Sequence, residues 1–234
     1  MKKFLIISLY IMCSSVFSAY AYDEITFTVP NFQPYTYKDD GKIKGIGVDV
    51  VTELLDEMKV HYKIKFSPNY GRALDDVKKE KVDGFFLASQ NAERDNVAVF
   101  SSRVAYNNWS WFFPAESTLS PHGEHAKANM RVATTAHTNT HKWLVKDGYQ
   151  KIDAVQNTKI LPKFLLELKR AEAIFLAEMV FISAANNSGV KPERYRQVIE
   201  ISKPFGIYVS KKYLAKNEGF MEELNRLIEK IREP

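Results

Sequence analysis

Residues 82–87 read Val82-Asp83-Gly84-Phe85-Phe86-Leu87, a short apolar run with one acidic residue and one glycine near its start. Its length and lack of helical spacing predict a strand buried on both faces. Just before it, Ala73, Leu74 and Val77 give a helix its apolar side, and residues 62–66 alternate as a strand. Earlier still, Val48, Val51, Leu54, Leu55 and Met58 carry the spacing of a helix with one buried face. Residues 25–29 form a β-type run that Pro30 stops, and Asp39-Asp40-Gly41 is a turn signal. Strand, helix, strand, helix, strand is a βαβ series, which implies a parallel sheet covered by helices.

The pattern restarts after Asn107-Asn108 with Trp109-Ser110-Trp111-Phe112-Phe113, an aromatic strand, followed by a polar stretch over 114–129. Strands are expected over 130–134, 173–177 and 204–209, and helices over 138–147, 161–168, 178–185 and 220–231. This predicts an α/β chain of two lobes of roughly 100 residues each, without an internal repeat.

The 234 residues are 45% hydrophobic and 26% charged, an ordinary globular composition that excludes disordered and collagen-like classes. At the N-terminus Lys2 and Lys3 precede an apolar run and the exit Ala19-Tyr20-Ala21, which reads as a signal peptide over 1–21 and not as a membrane anchor. Its removal takes two of the 33 basic residues and none of the 28 acidic ones, leaving a net +3, too small an excess to argue for nucleic acid. Cys13, the one cysteine, leaves with it, which excludes disulfide scaffolds and thiolate chemistry in the mature chain. Met12 before Cys13 is bulkier than the small residue of a lipoprotein processing site, so no lipid anchor is expected.

Open parallel sheets bind ligands beyond the C-terminal ends of their strands. Ala88-Ser89-Gln90-Asn91-Ala92-Glu93-Arg94 follows the buried strand with small and hydroxyl residues and then one guanidinium, a planar donor fork matched to a carboxylate. The alternative is a surface Arg94 paired with Glu93 or Asp95. Phe32, Tyr35 and Tyr37 lie beyond the first strand, where rings either wall a pocket or fill core. His137 and His141, and His122 and His125, have no acidic residue at a spacing that would complete a metal site, and there is no HExxH, GxSxG, Walker loop or GxGxxG. No metal or cofactor is expected.

Pro34-Tyr35-Thr36-Tyr37, then residues 40–50 with Gly45-Ile46-Gly47, then Lys81-Val82-Asp83-Gly84, Glu93-Arg94, Val99-Phe100-Ser101 and Tyr106 resemble, in order and spacing, the periplasmic solute-binding proteins of the polar amino acid ABC importers, family 3. The resemblance covers residues 24–232 and implies the type II periplasmic-binding fold, a two-lobed α/β clamp on two hinge strands. Residues 22–108 and 203–234 would form lobe 1, and 109–202 lobe 2. It further implies that Arg94 grips a ligand carboxylate with Ser89 beside it, and that Phe32 or Tyr35 packs on the ligand's apolar part. Thr138 would cap the carboxylate from lobe 2 and Glu178 receive an α-ammonium. A monomeric periplasmic binder of a small carboxylate-bearing solute, an amino acid or a related carboxylate, serving an inner-membrane ABC permease, is the function implied. The sequence departs from the family where His137 replaces a glycine and Glu178 an aspartate. Two alternatives stay open: a protein of the same fold that senses its ligand for a membrane receptor, and a periplasmic dehydratase with Glu178 as general acid.

Overall fold

The computed structural model describes residues 22–136 and 138–232; the expected signal peptide and the expectation resting on His137 lie outside the described residues. Strand β1 (Ile25–Pro30) leads through an aromatic turn into a hairpin of β2 (Tyr37–Asp39) and β3 (Lys42–Lys44). Asp40 and Gly41 close that hairpin with φ of 47° and 78°, the left-handed pair that a two-residue hairpin turn needs. Helix α1 (Ile46–Glu57) returns the chain to β4 (Tyr62–Ser67), and α2 (Tyr70–Lys78) returns it to β5 (Gly84–Ser89), all six residues of which are buried. Since β1 pairs in parallel with both β4 and β5, the βαβ series stands as expected.

A one-turn helix α3 (Ala92–Asp95) and the short β6 (Ala98–Phe100) precede the long β7 (Ala105–Pro114). Next come α4 (Glu124–Asn129), β8 (Val132–Thr135), α5 (Asn139–Lys146), β9 (Ile152–Val155), α6 (Leu161–Leu166), β10 (Ala173–Ala177) and α7 (Glu178–Asn187). The chain closes with β11 (Tyr195–Ser210), α8 (Lys211–Leu214) and α9 (Phe220–Arg232). The expected last strand at 204–209 is only the end of β11, whose first part runs antiparallel along β7 while residues 205–209 pair with β5.

The sheet order is β4-β1-β5-β11-β7-β10-β8-β9, with β6 on β11. Two parallel groups, β4-β1-β5 and β10-β8-β9, are thus bridged by the antiparallel pair β11 and β7. Helices cover both faces of each group. Val51, Leu54 and Leu55 of α1 and Leu224, Leu227 and Ile228 of α9 pack with Ile25, Phe27 and Phe86, while Ala73, Leu74 and Val77 of α2 meet Phe85 and Tyr208 on the opposite face. In β7 the two-residue period divides the aromatics: Trp109, Trp111 and Phe113 pack with Leu144 and Phe175, whereas Phe112 stacks on Phe181 of α7 at 3.8 Å between ring centroids. Gly84 explains the Asp83-Gly84 step, because a Cβ there would lie 2.2 Å from the Tyr208 carbonyl oxygen and force β11 away from β5.

Candidate functional site

The loop after β1 is tied to itself and then to α1. Phe32 N–H donates to the Thr36 carbonyl at 2.6 Å, and Thr36 Oγ1 donates to the Pro30 carbonyl at 2.7 Å. The first turn of α1 closes on the same loop, with Ile46 N–H on the Pro34 carbonyl (3.2 Å) and Gly47 N–H on that of Tyr35 (2.9 Å). Gly45 permits this approach: its φ is +130°, and an added Cβ would sit 2.3 Å from the Tyr35 oxygen. Phe32 and Tyr35 are thereby stacked, 5.6 Å apart and 14° from parallel, with Phe205 edge-on to Tyr35 at 5.0 Å and Tyr70 edge-on to Phe32 at 6.0 Å.

At the end of β5 the register with β11 shifts between Gly206 and Ile207, leaving Leu87 as the extra residue of a bulge. Leu87 has φ +48°, a left-handed conformation that a branched side chain resists. The carbonyl of the kinked residue and that of Ser89 beyond it are both used, since the Tyr70 hydroxyl donates to the Leu87 oxygen and Arg94 Nη1 donates to the Ser89 oxygen. The Arg94 guanidinium lies 5.1 Å from the Tyr70 ring centre and 5.6 Å from that of Phe85. Its helical turn is pinned: Asn91 Oδ1 accepts the Arg94 N–H at 3.0 Å, and the Tyr208 hydroxyl donates to Asp95 Oδ1 at 2.8 Å while accepting the Asn91 N–H at 3.2 Å.

Arg94 is 6% exposed and makes no ion pair among the described residues. The surface pairing considered for it is absent there, because Glu93 pairs with Lys78 at 3.0 Å and Asp95 serves Tyr208. Burial pushes its pKa down from the ordinary arginine value, with Tyr70 and Tyr208 pulling the other way. Arginine stays cationic under such pressure, so the site holds a positive charge with spare donors. Ser89, 5% exposed, accepts at Oγ from Asn107 Nδ2 at 3.5 Å.

Glu178 opens α7, directly after β10. Its Oε2 accepts from Asn108 Nδ2 at 2.7 Å, and Asn108 Oδ1 accepts from the Ser202 hydroxyl at 2.7 Å. Tyr35 feels the same carboxylate: burial first, and the Glu178 charge second, push its hydroxyl pKa up to about 12. The structure therefore brings Phe32, Tyr35, Ser89 and Arg94 together through Phe205 and Tyr70, with Glu178 within electrostatic reach of Tyr35.

Thr138 stands apart from that group. It caps α5 by accepting the His141 N–H at 3.2 Å, its proton goes to the Thr135 carbonyl at 2.7 Å, and Thr140 Oγ1 lies 2.8 Å away. No bond or ring contact joins it to Arg94, Ser89, Phe32, Tyr35 or Glu178 among the described residues. Sequence reasoning missed Tyr70, Asn107 and Asn108. For Tyr70 an aromatic residue just after the capping Asn69 is a local signal; for the asparagines only their place before an aromatic strand was visible. Among the described residues no group of His, Cys, Asp and Glu could hold a metal ion, and no helix is long and apolar enough to cross a membrane.

A family model of bacterial extracellular solute-binding proteins, family 3, matches residues 25–234. Among solved structures, the GluR0 ligand-binding core from Nostoc punctiforme in complex with L-glutamate is similar at a TM-score of 0.71 and 16% identity, over 89% of this chain and 92% of that one. A histidine kinase sensor domain with similarity to periplasmic binding proteins gives 0.72 and 14%, over 90% and 91%. The arginine-bound form of truncated ArgBP from T. maritima gives 0.67 and 19%, over 89% and 96%. None of the curated proteins matches the sequence. Likenesses at such identity speak for the fold alone, and the fold is the type II periplasmic-binding fold expected from the sequence.

Proposed function

The chain belongs to the bacterial extracellular solute-binding proteins, family 3, and from that premise we propose that it binds a small carboxylate-bearing solute, an amino acid, in a cleft between two lobes. Residues 22–108 with 203–234 are assigned to one lobe and 109–202 to the other, hinged where β7 and β11 run side by side.

The observation that carries this reading is Arg94, a buried cation held by one carbonyl and two rings and lacking a carboxylate partner among the described residues. A solute carboxylate on its free N–H groups supplies the missing charge and does so bidentately. Ser89 offers a hydroxyl beside it, Phe32 and Tyr35 offer faces for the apolar part of the solute, and Glu178 offers a negative charge for an α-ammonium. Thr138 joins only by exchanging its bond to Thr135 for one to the carboxylate. Because Arg94 and Glu178 belong to different lobes, a zwitterion gains both contacts only when the lobes close, so binding favours the closed clamp. We propose further that the closed, loaded protein acts as a monomer in the periplasm and delivers its solute to an inner-membrane ABC permease.

A second reading, a ligand sensor for a membrane receptor, is favoured by the likeness to a histidine kinase sensor domain. Loss of labelled-solute uptake on deletion of the protein supports delivery; intact uptake with a lost transcriptional response supports sensing.

The binding reading is tested by calorimetry of wild type and Arg94→Ala against amino acids, dicarboxylates and cations. Removing the charged partner of a buried carboxylate costs on the order of 2–5 kcal/mol, about 30- to 5,000-fold in affinity. Unchanged affinity in the variant overturns the role given to Arg94.

A further inference from the structure

Two buried side-chain atoms have no hydrogen-bond partner among the described residues, Asp76 Oδ1 and Asn107 Oδ1. The first is accounted for, since Arg72 Nε lies 3.2 Å from it. The second is not. Asn107 is only 4% exposed, and its amide nitrogen is occupied at 3.5 Å by Ser89 Oγ. A buried amide oxygen without a protein donor is an acceptor open to a donor from a bound solute.

The sheet says what surrounds this oxygen. Phe205 pairs with both Ser89 and Ala105, and residues two apart on a strand share a face, so Asn107 lies on the face that carries Ser89 and Phe205. Phe205 is the ring against which Tyr35 packs, and the carbonyl of Ser89 holds the Arg94 guanidinium. Asn107 thus shares its face with the residues around the proposed carboxylate grip, and its amide reaches Ser89 among them. Its neighbour Asn108 points to the other face and has both ends of its amide in use, on Glu178 and on Ser202.

We infer that Asn107 is a further solute contact and a specificity determinant, its Oδ1 accepting one N–H of the α-ammonium of a solute whose carboxylate sits on Arg94, while the remaining N–H groups of that ammonium stay available to Glu178. This rests on the amino-acid reading above. In an α-amino acid one carbon separates nitrogen from carboxylate, so the donor and the anion reach neighbouring groups together. A carboxylic acid without the amino group leaves the buried oxygen unpaired, and sites of that kind reject such an analogue strongly. An amide in this place also adds no second negative charge next to Arg94, which leaves that cation free for the solute.

Asn107→Leu is close in shape and removes the acceptor; Asn107→Ala serves as the second variant. Each is titrated, beside wild type, with whichever of the twenty L-amino acids binds wild type most tightly and with the des-amino carboxylic acid of that compound. Each is also melted without added solute. The amino acid is expected to bind tenfold or more weakly in both variants, the des-amino acid within twofold of wild type, and Asn107→Leu to melt at or above the wild-type temperature. Undiminished amino-acid affinity in either folded variant overturns the role of Asn107 and leaves amino-acid binding standing. Equal losses for the two compounds overturn the assignment to the ammonium. Wild type that binds none of the twenty overturns the amino-acid reading and this inference with it.

Discussion

Glu178→Gln isolates charge from shape at the far end of the site. The carboxylate accepts one bond from Asn108 at 2.7 Å, and glutamine of the same length keeps a carbonyl oxygen for it. What disappears is a negative charge in the first turn of α7, where the helix dipole favours it by about 0.3–1 kcal/mol, so the stability cost stays within that range. A charge-assisted bond from an α-ammonium is worth about 1.5–3 kcal/mol, so calorimetry should show roughly a 10- to 150-fold weaker amino acid. The des-amino analogue should be nearly unaffected, since no cation faces the altered group. A second readout is Tyr35, whose hydroxyl is held up at about 12 by burial first and by Glu178 second. In the variant its titration, followed by NMR of labelled tyrosine, should move downward and remain above 10, because the larger cause is untouched. Intact binding with lost product formation would instead mark Glu178 as a general acid. Equal losses for the amino acid and its des-amino analogue would refute ammonium recognition, and an unmoved Tyr35 would refute the closeness of the two groups.

Tyr35 also sets an alkaline limit on stability: the folded hydroxyl titrates near 12 against 10.0 for the free group, so its contribution is complete below pH 10 and is lost as pH rises through 12, about 2.7 kcal/mol in all. Tyr35→Phe should flatten the fall of unfolding free energy over that window by about this amount, and identical pH slopes for the two proteins would refute the assignment. At the bulge, Leu87→Gly and Leu87→Ala both open a cavity, yet glycine relieves the +48° φ; denaturant unfolding should therefore find the glycine variant the more stable by about 1 kcal/mol, and the reverse order would mean that the bulge is unstrained.

What could be read from the chain was whatever neighbours in sequence determine. The buried run at 82–87 and the helical spacing from Val48 to Met58 describe burial within one element, and both elements form close to where they were expected. Arg94 was legible for the same reason, as the guanidinium following a strand end. The first part of β11 was not, because residues 195–203 are half-buried or exposed throughout and offer no clean alternation, and β9 is half-buried at all four positions. The site is harder still, since its contacts join residues far apart: Asn108 with Glu178 across 70 positions, Tyr208 with Asp95 across 113. Thr138, which the resemblance assigns to a ligand carboxylate, has its proton on a carbonyl three residues back, a contact that no reading of residue types reveals. The two asparagines show where local reading ends. Asn107 and Asn108 are identical in type and adjacent, and only the pleat of β7 gives one the face of Ser89 and the other the carboxylate of Glu178. That pleat is placed by pairing with β11, whose own placement depends on the close contact at Gly84 and on the bulge at Leu87. A slip of one residue between β7 and β11 would exchange the faces of the two amides, taking Asn107 away from Ser89 and Asn108 away from Glu178 without altering a single letter of the sequence.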